Sequence, residues 1–330
     1  MPSVEAAETP AEQSQFLVIV GPTAVGKTAV AIDLADRLGG EIVNADSMQV
    51  YQHMDIGTAK PSATDRLRVP FHLLDIASPD QQLTAADWKG RAEEAMAEIR
   101  GRGKTAIVCG GTGLYIRALL DDWRLAGTPP DSKLRDRLQR EVVELGSPAL
   151  HRQLALVDAA AAERLHPNDA VRIVRALEVY YVTGRPISEL QAEDCAQRKR
   201  RPAHQFGLAL PRPELYSRIN RRVDAMAAAG LEAEVRSLLD LGLSGDLGPM
   251  RSLGYKEMVQ FIRHELSHSQ MLDAIKQSTR RYAKRQQTWF HADKSIDWID
   301  VSALNSAEVA GLICTRLEEN ARDTSIGRAF

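Results

Sequence analysis

The chain is expected to fold as an α/β protein, a parallel sheet flanked by helices and interrupted by an all-helical insertion. Three observations lead there. Strand-like and helix-like segments alternate over the first 120 residues. The character changes near Asp121, and a helical pattern then holds from Gly127 to about Arg201. An apolar alternation returns at Phe206-Gly207-Leu208-Ala209-Leu210, before Pro211, and reads as a strand rejoining the sheet. The expected organisation is a frayed tail over residues 1–15, an α/β core over 16–120 and 202–330, and a helical domain over 121–201.

Taken in order, the apolar run Phe16–Val20 is the first strand. Gly21, Pro22, Thr23, Ala24, Val25, Gly26, Lys27 and Thr28 follow, and fit the phosphate-cradling pattern G-x-x-x-x-G-K-S/T. The helix-forming run Ala29–Ala35 comes next, which makes the core P-loop NTPase-like. Glycines let such a loop curl so that successive N–H groups face phosphate oxygens, and the helix start adds partial positive charge. Lys27 brings a mobile ammonium, and the Thr28 hydroxyl is placed to ligate magnesium. Glu41–Ala45 is a short strand ending at Asp46, and Phe71–Ile76 a possible further strand ending near Asp75. Ala85–Arg100 is helical and stopped by Gly101 and Gly103. Thr105–Cys109 is a buried type of strand running into Gly110-Gly111-Thr112-Gly113. Strand ends of an open parallel sheet gather at one edge, so Asp46 and Thr112 are expected to face the crevice that holds Lys27. In the insertion, Leu134, Leu138 and Val142 recur at helical spacing, as do Val171, Val174, Leu177 and Tyr181. Asn168 or Asp169 can cap the latter helix, and Gly184 and Pro186 stop it.

Composition bounds the class. The chain has 330 residues, 44% of them hydrophobic and 26% charged, with a formal net charge of -2, as in an ordinary globular protein. No apolar run approaches the length of a membrane span. Residues 1–15 lack the basic start and apolar centre of a secretory signal. Cys109, Cys195 and Cys314 lie far apart with no C-x-x-C, which suits reduced thiols in a cytoplasm. Near-neutral charge argues weakly against nucleic acid, but its distribution is uneven. Arg198-Lys199-Arg200-Arg201 forms one basic run; Arg218, Arg221 and Arg222 form a second; Arg280, Arg281, Lys284 and Arg285 form a third. Each alone reads as a solvated face, whereas three in the C-terminal half favour a polyanion partner.

The motifs, taken jointly, resemble the tRNA dimethylallyltransferases. The run 21–28 is followed by Asn-Ala-Asp-Ser-Met-Gln-Val-Tyr (44–51), Asp-Ile-Gly-Thr-Ala-Lys-Pro (55–61) and Gly-Gly-Thr-Gly-Leu-Tyr (110–115). Then come Arg-Ile-Val-Arg-Ala-Leu-Glu-Val (172–179), Arg-Ile-Asn-Arg-Arg-Val (218–223), Leu-Gly-Tyr-Lys-Glu (253–257) and Lys-Arg-Gln-Gln-Thr-Trp-Phe (284–290). Phe71 departs from the pattern, standing where a second histidine is expected before His72, and the zinc-finger extension of eukaryotic members is absent. The resemblance implies transfer of a dimethylallyl group from its diphosphate to the exocyclic amine of the adenine after the anticodon. It implies that the P-loop, Lys27, Mg2+ at Thr28 and Arg222 hold the diphosphate, that Asp46 takes the amine's proton, and that Thr112 positions the reacting groups. It implies further that the base is flipped from the anticodon stem-loop into a pocket that Asp46, Ser47, Met48 and Gln49 are expected to line. By the same resemblance the tRNA is expected to be met by Val171, Arg172, Ile173, Val174 and Arg175, and by Arg251, Ser252, Leu253, Gly254, Tyr255 and Lys256. A monomer with no membrane association is expected.

Plainer readings stand beside these. Asp46 suits a turn cap, Thr112 a turn in a glycine loop, and Arg222 a surface ion pair. Arg172 and Arg175 share a helix face and suit pairing with Glu178. The rival function is a P-loop kinase of a nucleoside or small metabolite, with Asp46 activating a hydroxyl and the insertion acting as a lid over ATP. A nucleotide-gated module without chemistry is a third. His264-Glu265-Leu266-Ser267-His268 fits the zinc-protease pattern H-E-x-x-H, but its polar surroundings and lack of a third ligand make two surface histidines the better reading.

Overall fold

The computed structural model describes residues 16–123 and 131–326, so the tail expected over 1–15 lies outside the described residues. The chain divides into two compact units, one built from residues up to Leu120 and from Pro202 onward, the other from Asp121–Arg201.

The first unit is wound around six parallel strands: β1 (Phe16–Val20), β2 (Glu41–Asn44), β3 (Phe71–His72), β4 (Ala106–Cys109), β5 (Ala203–Ala209) and β6 (Asp297–Asp300). Their spatial order is β3-β2-β4-β1-β5-β6. Leu17 lies opposite Ile107 on one side and His204 on the other, so the central strand is fixed by partners from both ends of the chain. All five β1 residues are buried, as continuous apolar runs in a sheet covered on both faces should be. The covering helices are α1 (Lys27–Leu38), α2 (Ala63–Arg68), α3 (Ala85–Gly101) and α4 (Gly113–Leu120) from the first half. On one face Trp88 of α3 is fully buried, stacks on Tyr115 at 4.5 Å and donates from Nε1 to the Asn44 carbonyl at 2.9 Å. On the other face Val30, Ile32 and Leu34 of α1 pack with Ile19, Phe206 and Ile299.

The helical unit comprises α5 (Ser132–Leu145), α6 (Ser147–Val157), α7 (Ala159–Arg164), α8 (Ala170–Thr183) and α9 (Ile187–Gln197). Leu138, Leu150, Leu154, Ile173 and Leu177 form its core. Asp169 caps α8 and Gly184 ends it in the left-handed conformation.

The chain then returns through β5 to α10 (Arg212–Ala228), α11 (Leu231–Asp240), a 3-10 turn Pro249–Arg251, α12 (Tyr255–Ile262), α13 (His268–His291), β6 and α14 (Ser306–Ile326). None of the described helices is long and apolar enough to cross a membrane.

Two local expectations are corrected. The strand considered over Phe71–Ile76 stops at His72, because Leu73 and Asp75 take positive φ (64° and 57°) and turn the chain. Asp75 is held there by Lys60 at 2.6 Å and Arg66 at 2.7 Å. The apolar face read from Val171, Val174, Leu177 and Tyr181 is half right: Val174 and Leu177 are buried, while Val171 is 81% exposed and Tyr181 46%. A helical turn of 3.6 residues carries a three-residue spacing off the buried stripe within two turns.

Candidate active site

The phosphate loop joins β1 to α1. Ala24 takes a positive φ of 66° in it, a conformation a non-glycine residue holds only under constraint. Lys27 Nζ donates to the carbonyls of Gly21 (2.9 Å) and Pro22 (2.8 Å), which pins the ammonium under the loop. Burial draws its pKa down to about 8 against the opposing pull of Cys109 and Asp46, with Arg222 lowering it further. Thr28 lies one residue further along, in the first turn of α1.

The second loop follows β2. Asp46 Oδ1 accepts the N–H groups of Met48 (2.9 Å) and Gln49 (3.4 Å), so the carboxylate does cap its own turn. The third loop follows β4. Thr112 Oγ1 accepts the Ser47 N–H at 2.9 Å and approaches the Ser47 hydroxyl at 3.2 Å, while Thr112 N–H donates to the Ala45 carbonyl at 3.1 Å. Glycine is required at Gly110, where a Cβ would stand 2.1 Å from the Ala45 carbonyl oxygen. The Thr112 hydroxyl thus braces the turn that carries Asp46.

A fourth element ties the loops together. Gln286 of α13 is 5% exposed; its Oε1 accepts the Thr23 N–H at 2.8 Å and its Nε2 donates to the Gly111 carbonyl at 2.8 Å. Tyr282, one turn earlier, rests against Thr112 and Gln286, and burial pushes its hydroxyl pKa up to about 12. Gln286 lies inside the motif 284–290 but has no role that its sequence context implies, and Tyr282 lies outside every motif. The available signal was a glutamine on the buried stripe of α13, in register with Met271, Ile275, Thr279, Ala283 and Phe290.

Two cavities meet at these residues. One, of about 370 Å³, is lined by the phosphate loop with Lys27, Thr28, Asn44, Gln49, Lys60 and Gly111. The other, of about 320 Å³, is walled by Met48, Ile219, Val223, Met226, Leu231 and Ile275. Thr23, Asp46, Arg222 and Tyr282 line both. Arg222 is not the surface ion pair considered for it: it makes no ion pair among the described residues, and burial lowers its pKa against the attraction of Asp46.

The remaining expected residues divide. Ser47, Met48, Ser252, Leu253, Gly254 and Tyr255 line the apolar cavity. Gln49 lines the phosphate-loop cavity instead, with its Nε2 spent on the carbonyls of Thr58 (3.0 Å) and Ala59 (3.2 Å), so it offers only its carbonyl oxygen to a base edge. Arg251 and Lys256 are exposed. In the helical unit, Ile173 and Val174 are core residues, whereas Val171 and Arg172 face solvent. Arg175 is bound to the fully buried Glu178 at 2.7 Å, the pairing that was its plainer reading, and Arg135 binds the same carboxylate at 2.8 Å. The H-E-x-x-H string straddles a turn between α12 and α13 in which His264 has φ 61°, so its imidazoles do not share a helix face.

The family model described as IPP transferase matches residues 49–293, and that described as isopentenyl transferase matches 14–75. A curated relative from Geotalea daltonii, named tRNA dimethylallyltransferase 2, is 50% identical over 293 residues, covering 88% of this chain and 89% of its own. Among solved structures, the tRNA isopentenylpyrophosphate transferase of Bacillus halodurans is 38% identical, with a TM-score of 0.68 over 94% of this chain and 99% of its own. A eukaryotic dimethylallyltransferase acting on tRNA is 27% identical, with a TM-score of 0.73 over 88% of this chain and 74% of its own.

Proposed function

The chain belongs to the IPP transferase family, that of the tRNA dimethylallyltransferases, and from that premise we propose that it moves a dimethylallyl group from dimethylallyl diphosphate to the exocyclic amine of the adenine 3′ to the anticodon, releasing diphosphate. The observation that carries the reading is the junction of a polar and an apolar cavity at Asp46 and Arg222. A diphosphate fits the loop amides, Lys27 and the Arg222 guanidinium. A five-carbon chain and a flipped adenine fit the apolar cavity beyond.

The bond changes balance. The adenine nitrogen attacks the allylic carbon, the carbon–oxygen bond breaks, and its electron pair leaves on the diphosphate. The amine proton passes to Asp46. Oδ2 is the oxygen for this role, because Oδ1 is engaged by the Met48 and Gln49 amides. Those amides hold the carboxylate toward the junction, and Thr112 holds the turn that supplies them. An adenine amine is a weak nucleophile, so orientation contributes more than basicity.

Magnesium fits the donors present. Thr28 Oγ1 is a hard oxygen donor on the phosphate-loop cavity, and the described residues hold no cluster of three His, Cys, Asp or Glu that would form a complete protein cage. A small octahedral cation that shares its shell with diphosphate oxygens suits such a sparse set. When bound it neutralises charge growing on the leaving group.

The kinase reading is not favoured, because the relatives and solved structures this chain resembles are dimethylallyl and isopentenyl transferases rather than kinases. The protein is read as a cytoplasmic monomer. The test is incubation with unmodified anticodon stem-loop and dimethylallyl diphosphate, followed by mass spectrometry. One added five-carbon unit on adenine with release of diphosphate supports the reading, and γ-phosphate transfer from ATP with no such adduct overturns it.

A further inference from the structure

We infer that Glu234 is a positioning residue for the transfer reaction: its carboxylate fills an anion nest that fixes two walls of the apolar cavity against each other. The inference rests on the function proposed above and names a residue that the reaction itself does not use.

Glu234 lies in the first turns of α11. Its Oε2 accepts the N–H groups of Asp55 (2.8 Å) and Ile56 (2.7 Å). Its Oε1 accepts the Gly57 N–H (3.0 Å) and the Tyr255 hydroxyl (2.6 Å). Three successive backbone amides converging on one anion are the geometry by which proteins bind free phosphates and carboxylates. Here a side chain from a separate helix supplies the anion.

The four donors belong to two different walls. Gly57 and Thr58 line the cavity from the loop after β2, and Ser252 to Tyr255 line it from the start of α12. The walls touch closely at the nest: a Cβ on Gly57 would stand 2.5 Å from the Tyr255 ring. The same loop carries the Thr58 and Ala59 carbonyls that hold Gln49, so its position passes to the turn bearing Asp46. Four charge-assisted bonds on one carboxylate thus join this loop to the start of α12.

The test is kinetic and uses chemical rescue. Glu234→Ala leaves the nest in place but empty, and formate is the anion of the right size to refill it. At a temperature where circular dichroism reports the variant folded, KM for the anticodon stem-loop should rise and kcat fall, each about tenfold, with KM for dimethylallyl diphosphate nearly unchanged. Sodium formate should restore much of both relative to sodium chloride at equal ionic strength, and should raise the melting temperature of Glu234→Ala but not of the parent. Glu234→Gln should stay impaired and ignore formate, because its amide turns N–H groups toward donors. Should Glu234→Ala fold poorly, Tyr255→Phe removes a single donor and should raise the stem-loop KM severalfold. Kinetic constants of the folded variants equal to the parent's, or losses that follow the unfolded fraction and ignore formate, would overturn the inference. If the parent transfers no prenyl group, the functional reading fails instead, while the formate-dependent melting shift still reports on the nest.

Discussion

Lys27 and Asp46 occupy neighbouring places with opposite demands. The Lys27 ammonium must be charged to meet a diphosphate, yet burial draws its pKa down to about 8. The charged form predominates below that value and declines about tenfold per pH unit above it. kcat/KM for the prenyl donor should therefore fall as pH rises through 8, measured at saturating tRNA. The Cys109 thiol and Tyr282 hydroxyl, each raised to about 12 by burial, contribute nothing to that limb. Asp46→Ala should lower kcat more than about a hundredfold, close to 2.7 kcal/mol of transition-state stabilisation, with tRNA affinity nearly intact in a filter-binding assay. At this scale the sequence was explicit about Lys27, Asp46 and Thr112, because the phosphate-loop pattern and the strand-end rule name positions. It could not disclose that Arg222 would line both cavities with no ion pair among the described residues, since that depends on how α10 meets the sheet edge.

Elements carry the next set of effects. Gln286 belongs to a helix nearly at the end of the chain, yet its amide joins the phosphate loop to the loop after β4. Gln286→Ala should lower kcat about tenfold or more with a small change in melting temperature, since two loops lose their common brace. Gly110→Ala should destabilise the protein by about 1–3 kcal/mol in denaturant titration, because the backbone of Ala45 cannot yield to a new Cβ. On α8, Arg172→Ala should weaken tRNA binding and reduce the salt slope by about one, as loss of one phosphate contact does. An unchanged slope would remove Arg172 from the tRNA surface. The helical periodicity that located α8 could not tell Val171 from Val174, because both obey a three-residue spacing and only the packing of α5 and α6 decides which is covered. Glu178 was legible as a partner of Arg175 but not as the buried anchor of two arginines.

At the level of the whole chain, the alternation of strands and helices was enough to find the parallel sheet, and helical spacing was enough to find α5 and α8. Two things escaped it. The edge strand β6 is four residues long and half polar, too weak a pattern to register. Glu234 lies outside every motif, because a carboxylate that binds backbone amides leaves no constraint on neighbouring residue types. The division into two units also bears on partner binding. Replacing 121–201 with a flexible linker should preserve dimethylallyl diphosphate binding by calorimetry, while tRNA affinity falls by at least about tenfold.

The place of β5 beside β1 has a consequence during synthesis. A ribosome that has made residues up to Arg201 has released a phosphate loop whose strand is hydrogen-bonded to β4 on one edge only. The other edge stays open until Ala203–Ala209 has left the exit tunnel, and β6 follows only at Asp297. Open apolar strand edges invite pairing with other chains. The helical stretch, contiguous in sequence, needs no later residue and can close first. Nascent chains arrested between these points are where molecular chaperones should be found bound.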